Sequence, residues 1–241
     1  WSLESSKSDG ALQLAGALYI FWEFRGARSE SRKWLEDALA LSEREQSKKA
    51  AAGNYIPTDT EKAQRAKALI GVTWFQFATL NLSNAHKTVE ESLRLWRELG
   101  NTWWMALALE HIGFILILEG DVQRGRARLE EAVSLAREVE DPWPLVVCLN
   151  RLGEQLVGVD VARARQILEE AVAGARRVGD KNVFSYGLRA LGSVYLAEGN
   201  LTTAARITER ALAEACAMGS TFNVLTASFQ LVVISCFQND P

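Results

Sequence analysis

The sequence predicts an all-α chain of stacked helical hairpins, on three observations. A segment repeats with a period of 39–40 residues, apolar positions inside each period follow helical spacing, and turn-forming residues separate the helical runs. The segment RARLEEAVSLAREVED (126–141) has relatives upstream in HKTVEESLRLWRELGN (86–101) and downstream in 163–180 and 205–220. The equivalent small residues Ser92, Ala132, Ala171 and Ala211 lie 40, 39 and 40 apart. Gly113, Gly153 and Gly192 form a second register, each following Ile or Leu. The turns Gly120-Asp121, Val159-Asp160 and Gly199-Asn200 form a third, and the one-residue shortfall falls in that loop.

Within a unit, Leu109, Ile112 and Leu116 fall on one face of the first helix, and Leu129, Val133 and Leu135 lie on the second. Gly113 and Ala132 let the two backbones approach. Asp121, Asp160 and Asn200 are suited to N-caps, Asp141-Pro142 to a cap with Pro in the first turn, and Gly100, Gly179 and Gly219 to helix ends. The first unit aligns with the second at a spacing of 54, through Gly26, Ser31, Leu35 and Ala38. Its 14 extra residues predict an extended second helix, a loop at Gly53 to Pro57, and a restart capped by Thr58 and Glu61. After Gly219 one more helix follows. The chain is thus about five and a half pairs and eleven helices, and stacking supplies the core that no hairpin has by itself.

Composition agrees. Apolar residues make up 48% and charged residues 24%, with 4 Pro against 17 spaced Gly, which favours helices over a turn-rich sheet protein. A net charge of -3 gives no electrostatic footprint for phosphate backbones, so no direct nucleic-acid partner is expected. The apolar stretch Ile112 to Leu118 is far short of a membrane span, and no charged leader precedes an apolar core, so no membrane partner is expected. Cys148, Cys216 and Cys236, widely spaced in apolar surroundings, are expected to be reduced and buried in a cytoplasmic protein.

Leu/Ile-Gly, then Gly-Asp/Asn, then a small residue and Glu-Glu-Ala over a hairpin resembles the tetratricopeptide repeat. The period exceeds that family's usual length of about 34. It is similar to the variant in the sensor of the maltose-regulon activator and in bacterial nucleotide-switch regulators, the signal-transduction ATPases. Residues 1–41 resemble the segment after the ATPase and winged-helix region of those proteins, through Trp1, Leu12, Leu14, Ala15, Leu18, Phe21, Trp22, Gly26, Ser31, Trp34, Leu35 and Ala38. The resemblance implies a right-handed superhelix over residues 1–241, excised from a larger multidomain regulator whose output is a LuxR-type or antibiotic-regulator-type DNA-binding domain, a cyclase or a kinase. It implies an attached nucleotide-binding switch, and a protein, peptide or small-molecule inducer as partner. No GxxxxGK[ST] loop and no basic recognition helix occurs, so ATPase and DNA-binding functions are not assigned to these residues. Thr73 and Tyr19 replace the family's small residue, which implies looser or rearranged packing in the first two units.

No catalytic constellation is expected. The histidines are only His86 and His111, without a second ligand at metal spacing, and neither a metal nor a cofactor is predicted. The pairs Glu130-Glu131 and Glu169-Glu170 recur at repeat positions and read as a solvated helix face. Among 8 tryptophans, Trp34 and Trp96 are expected to fill the core or the space between hairpins. The resemblance implies that first helices line the concave side. Carried over, the lining comprises Ile70, Trp74, Trp103, Leu107, Glu110, Phe114, Trp143, Val147, Asn150, Glu154, Tyr186, Arg189, Ser193, Phe222 and Phe229. The candidate binding residues are Trp74, Trp103, Glu110, Phe114, Trp143, Asn150, Glu154, Tyr186 and Arg189. Aromatic walls with a few acceptors and one guanidinium suit a peptide or small polar ligand, or a sugar. Arg189 either grips a ligand carboxylate or pairs with Glu154. The alternative to a regulator's sensor is a stand-alone peptide-binding scaffold or a peptide-pheromone sensor. The apolar last helix, ending in LVVISCF (231–237), is expected to self-associate.

Overall fold

Helical periodicity in the sequence becomes helices in the structure, a computed structural model that describes residues 10–14, 17, 28–53 and 55–239. Ten bounded helices follow: α1 (Arg28–Ala51), α2 (Asp59–Ala78), α3 (Leu82–Glu98), α4 (Thr102–Leu118), α5 (Val122–Arg137), α6 (Trp143–Leu156), α7 (Val161–Val178), α8 (Lys181–Ala197), α9 (Leu201–Met218) and α10 (Thr221–Asn239). Residues 10–14 are helical as well, and there is no strand among the described residues. Two compact units emerge, one up to Gly125 and the other from Arg126 onward.

In the first unit α2 packs on α3, α3 on α4, and α2 touches α4. The extended α1 runs 24 residues, turns at Gly53 with φ 117°, and the chain restarts at α2. The restart is a reciprocal capping box. Thr58 N–H donates to Glu61 Oε2 at 2.8 Å, and Glu61 N–H donates to Thr58 Oγ1 at 3.2 Å. Burial pushes the Glu61 carboxyl up. Hydrogen bonds from Thr58, Tyr55 and Lys49 outweigh that and hold it at about 2. Thr73 does not loosen its unit: it is fully buried, and its hydroxyl donates back to the Leu69 carbonyl at 2.8 Å. Tyr19, Phe21, Trp22 and Gly26 lie outside the described residues.

In the second unit α6 packs on α7, α7 on α8, and α8 on α9, while first helices touch in series, α6 on α8 and α8 on α10. This is the wiring of a hairpin array. The repeat glycines sit where helices nearly touch. A Cβ on Gly153 would come within 2.5 Å of Leu168 Cγ, and one on Gly192 within 2.5 Å of Thr208 Oγ1. Ala171 and Ala211 opposite them are fully buried. The predicted caps form: Asp160 and Asn200 accept from the N–H groups of Arg163 and Thr203, at 3.0 and 3.1 Å. The exposed carboxylates read as a solvated face link neighbouring hairpins, Glu130 with Arg163 and Glu170 with Arg137.

Several expectations are corrected by the packing. Trp34 is 40% exposed, not core, because Leu35 and Ala38 take the buried stripe of α1. Cys148 is buried as expected, but Cys216 and Cys236 are exposed. The last helix is the longer apolar run. Thr221–Gln238 is long and apolar enough to cross a membrane by length and composition, with 22% of it buried. Its amides are nonetheless tied to the array, Asn223 to the Asn182 carbonyl at 3.3 Å and Gln230 to Ser193 Oγ at 3.0 Å.

Candidate functional site

Four charged and phenolic side chains meet between α6 and α8. Arg151 and Glu154 stand one turn apart on α6, and Tyr186 and Arg189 one turn apart on α8, so each helix presents a pair to the other. The Tyr186 hydroxyl and Arg189 Nη2 both donate to the Glu154 carboxylate. Arg151 Nη1 donates to the Tyr186 oxygen at 2.9 Å and stands 3.5 Å from Glu154 Oε2. Both guanidiniums also cover the Tyr186 ring, at 4.9 Å for Arg189 and 5.5 Å for Arg151.

These groups are nearly dry: the arginine side chains are 14% exposed and Glu154 is 23% exposed. Burial pushes the Glu154 carboxyl up, but the Arg189 and Arg151 charges outweigh it and keep the group below the usual carboxylate range. Burial pushes the Tyr186 phenol well up, against the opposing Arg151 charge. Glu154 is therefore ionised and Tyr186 a neutral donor at neutral pH. One donor is left over: Arg189 Nε is buried without a hydrogen-bond partner.

Trp143 and Asn150, the other predicted residues of this unit, make hydrogen bonds within the fold. Trp143 lies against the cluster of Val146, Ala175, Val183 and Phe184, and its indole N–H donates to Asp180 Oδ2 at 2.8 Å. Asn150 is 2% exposed and donates to the Val183 carbonyl at 3.0 Å, while its Oδ1 has no partner. Glu154, Tyr186 and Arg189 are brought together as a group. Arg151, which completes it, was not among the candidates. It precedes Leu152-Gly153, where the preceding unit has His111, and its spacing of three to Glu154 was the available signal.

The remaining candidates, Trp74, Trp103, Glu110 and Phe114, lie in the first unit. Trp74 is 7% exposed and Glu110 3%, with Glu110 Oε2 2.9 Å from His111 Nδ1. Phe114 is half-buried. Trp103 meets Trp104 edge-on at 4.6 Å, and Trp104 stacks on the buried Trp96 at 5.3 Å with Lys67 Nζ 5.3 Å from its ring. Trp104 had no place in the sequence reading, yet it joins α2, α3 and α4. Among the described residues no group of three His, Cys, Asp or Glu is arranged to hold a metal.

Solved structures share this architecture. BtubC from P. vanneervenii superposes with a TM-score of 0.63 at 17% identity, covering 90% of this chain and 88% of that one. A Rap protein complexed with competence and sporulation factor gives 0.59 at 14% identity, over 98% of this chain and 64% of that one. A signal transduction ATPase with numerous domains from Pyrococcus horikoshii, bearing a tetratricopeptide repeat sensor, gives 0.60 at 15% identity, over 98% of this chain but 34% of that one. No family model matches the sequence, and no curated relative matches it. At these identities the likeness is one of fold: a tetratricopeptide-like helical repeat solenoid.

Proposed function

We propose that this chain is the ligand- or protein-binding sensor of a signalling or transcriptional regulator, acting through the concave side of its first helices. The observation that carries the reading is the buried Arg151–Glu154–Tyr186–Arg189 cluster with its uncommitted Arg189 Nε. A scaffold needs no such group, since a hydrophobic replacement of a buried ion pair is often as stable. The ligand that fits is a peptide or small polar inducer offering a carboxylate or carbonyl.

In this reading residues 1–241 form one array, because the repeat register runs unbroken through α5. Its ligand state passes to an attached nucleotide-binding switch in a cytoplasmic, bacterial protein, as in the regulators that the sequence resembles, with a LuxR-type or antibiotic-regulator-type output. Catalysis has no part in it. In the second unit Trp143 and Asn150 wall the cluster, and in the first unit Trp74, Trp103, Glu110 and Phe114 offer contacts of their own. Copies associate through the exposed Leu225, Phe229 and Val232 of α10.

A second reading is favoured by the Rap protein, whose structure is a complex with competence and sporulation factor: a stand-alone peptide-pheromone sensor or peptide-binding scaffold. A phosphate-binding loop and winged helix encoded upstream of Trp1 would separate the two.

The test is an array of immobilised linear peptides probed with the wild-type chain and with Arg189→Gln. The reading expects acidic peptides retained by the wild type and released by the variant, with the melting temperature held within a few degrees. Identical patterns for both proteins would remove Arg189 from the site.

A further inference from the structure

The 14 extra residues that break the repeat period build a second feature, on the opposite side of the sequence from the cluster just described. By lengthening α1 they bring Glu43, Gln46 and Ser47, with Pro57 of the following loop, against α2 and α3. A cleft of about 530 Å³ opens there, closed below by Lys62 and Arg65 of α2 and by Glu91, Arg94, Leu95 and Glu98 of α3.

Its charges are sorted. At one end Arg65 is shared by two carboxylates, Nε donating to Glu91 at 2.8 Å and Nη2 to Glu43 at 2.9 Å. That end carries one negative charge in excess. At the other end Glu98 is shared by two cations, Lys62 Nζ at 3.1 Å and Arg94 Nη1. That end carries one positive charge in excess. The Lys62 and Arg94 cations hold the Glu98 carboxyl below its usual range. Glu91 and Glu98 are seven positions apart on α3, about 10 Å of helix. An uncommitted donor sits in the wall as well, since Arg65 Nη1 is buried with no hydrogen-bond partner.

We propose that this dipolar cleft binds an extended peptide segment carrying a cationic side chain and, about three residues away, a carboxylate. The cationic side chain meets Glu43 and Glu91, the carboxylate meets Lys62 and Arg94, and a backbone carbonyl between them accepts from Arg65 Nη1. Three extended residues span about 10 Å, which matches the separation of the poles. Nucleic acid and anionic lipid do not fit, because each would face the Glu43 and Glu91 carboxylates. Bracing of the three helices does not require Arg94 and Glu43, each 60% exposed, since exposed ion pairs contribute little stability.

The experiment is a nuclear magnetic resonance titration of the whole chain with four capped tetrapeptides. Two are dipolar, Lys-Ala-Ala-Glu and its reverse Glu-Ala-Ala-Lys; two are not, Lys-Ala-Ala-Lys and Glu-Ala-Ala-Glu. One dipolar probe is expected to bind at least about fivefold more tightly than either unipolar one, with shifts in α1, α2 and α3. Arg94→Glu makes both poles negative and should move the preference to Lys-Ala-Ala-Lys. Glu43→Lys makes both positive and should move it to Glu-Ala-Ala-Glu. A swap of preference cannot come from misfolding. Equal binding of all four probes, or a preference unchanged in both variants, overturns the inference. Dipolar binding that survives Arg94→Glu but is lost in Arg189→Gln also overturns it, and leaves the cluster on α6 and α8 as the peptide site.

Discussion

Trp143 and Asp180 are joined across two hairpins: the indole N–H donates to Asp180 Oδ2 at 2.8 Å, while Oδ1 accepts from the N–H groups of Asn182 and Val183 at 2.8 and 3.1 Å. One carboxylate thus caps α8 and fastens it to the start of α6. The indole of Trp143, a candidate ligand platform, thus also ties two helices together.

Trp143→Ala is expected to cost about 3–5 kcal/mol, from lost packing on Val183 and Phe184 and the freed Asp180 oxygen. Trp143→Phe keeps most of the ring and loses the N–H, for about 1 kcal/mol. Urea unfolding measures both. A Trp143→Ala variant as stable as the wild type would return Trp143 to the ligand surface.

Glu154 is the keystone of the buried cluster, and removing it leaves two guanidiniums facing one another. Glu154→Ala should cost about 3–5 kcal/mol, whereas Arg189→Gln, which keeps a donor toward Glu154, should cost less. Thermal melts of the two variants side by side check the order.

The Thr58–Glu61 box makes a prediction in acid. Glu61 has a folded value of about 2 against an ordinary 4.5, so its stabilising effect is complete above 4.5 and is lost as pH falls toward 2. Glu154, also depressed, adds to stability with the same sign. Glu61→Gln should lower stability by about 1 kcal/mol at pH 7 and flatten the fall in stability between pH 4.5 and 2. Unfolding midpoints across that range in both proteins test it.

Gly192→Ala tests whether the repeat glycine is required by packing. The new methyl would sit 2.5 Å from Thr208 Oγ1, so about 1–3 kcal/mol of destabilisation is expected. Adding Thr208→Ala should restore part of it, as a double-mutant cycle would register.

The exposed Leu225, Phe229 and Val232 of α10 give a concentration-dependent prediction. Light scattering should show association rising with concentration in the wild type, and Phe229→Glu should abolish it with little change in melting temperature. A wild type monomeric at millimolar concentration contradicts it.

Local rules made much of this protein legible from its residues. The 39–40 residue register, the caps at Asp160 and Asn200, the box at Thr58 and Glu61, and the close approaches at Gly153 and Gly192 depend on neighbours a few residues away, or on a repeat that states the same contact several times. Tertiary structure decided the partners of long polar side chains. Arg189 was readable as a residue of the inner face, but its choice of Glu154 and the arrival of Arg151 depend on how α6 lies against α8. Trp34 stands exposed and Trp104 stacks on Trp96, because periodicity assigns a helix face but not what the neighbouring helix presents to it. The dipolar cleft is the clearest case. Its sequence trace is an irregular spacing of 54, and only the packing of α1 on α2 and α3 sorts six scattered charges into two poles.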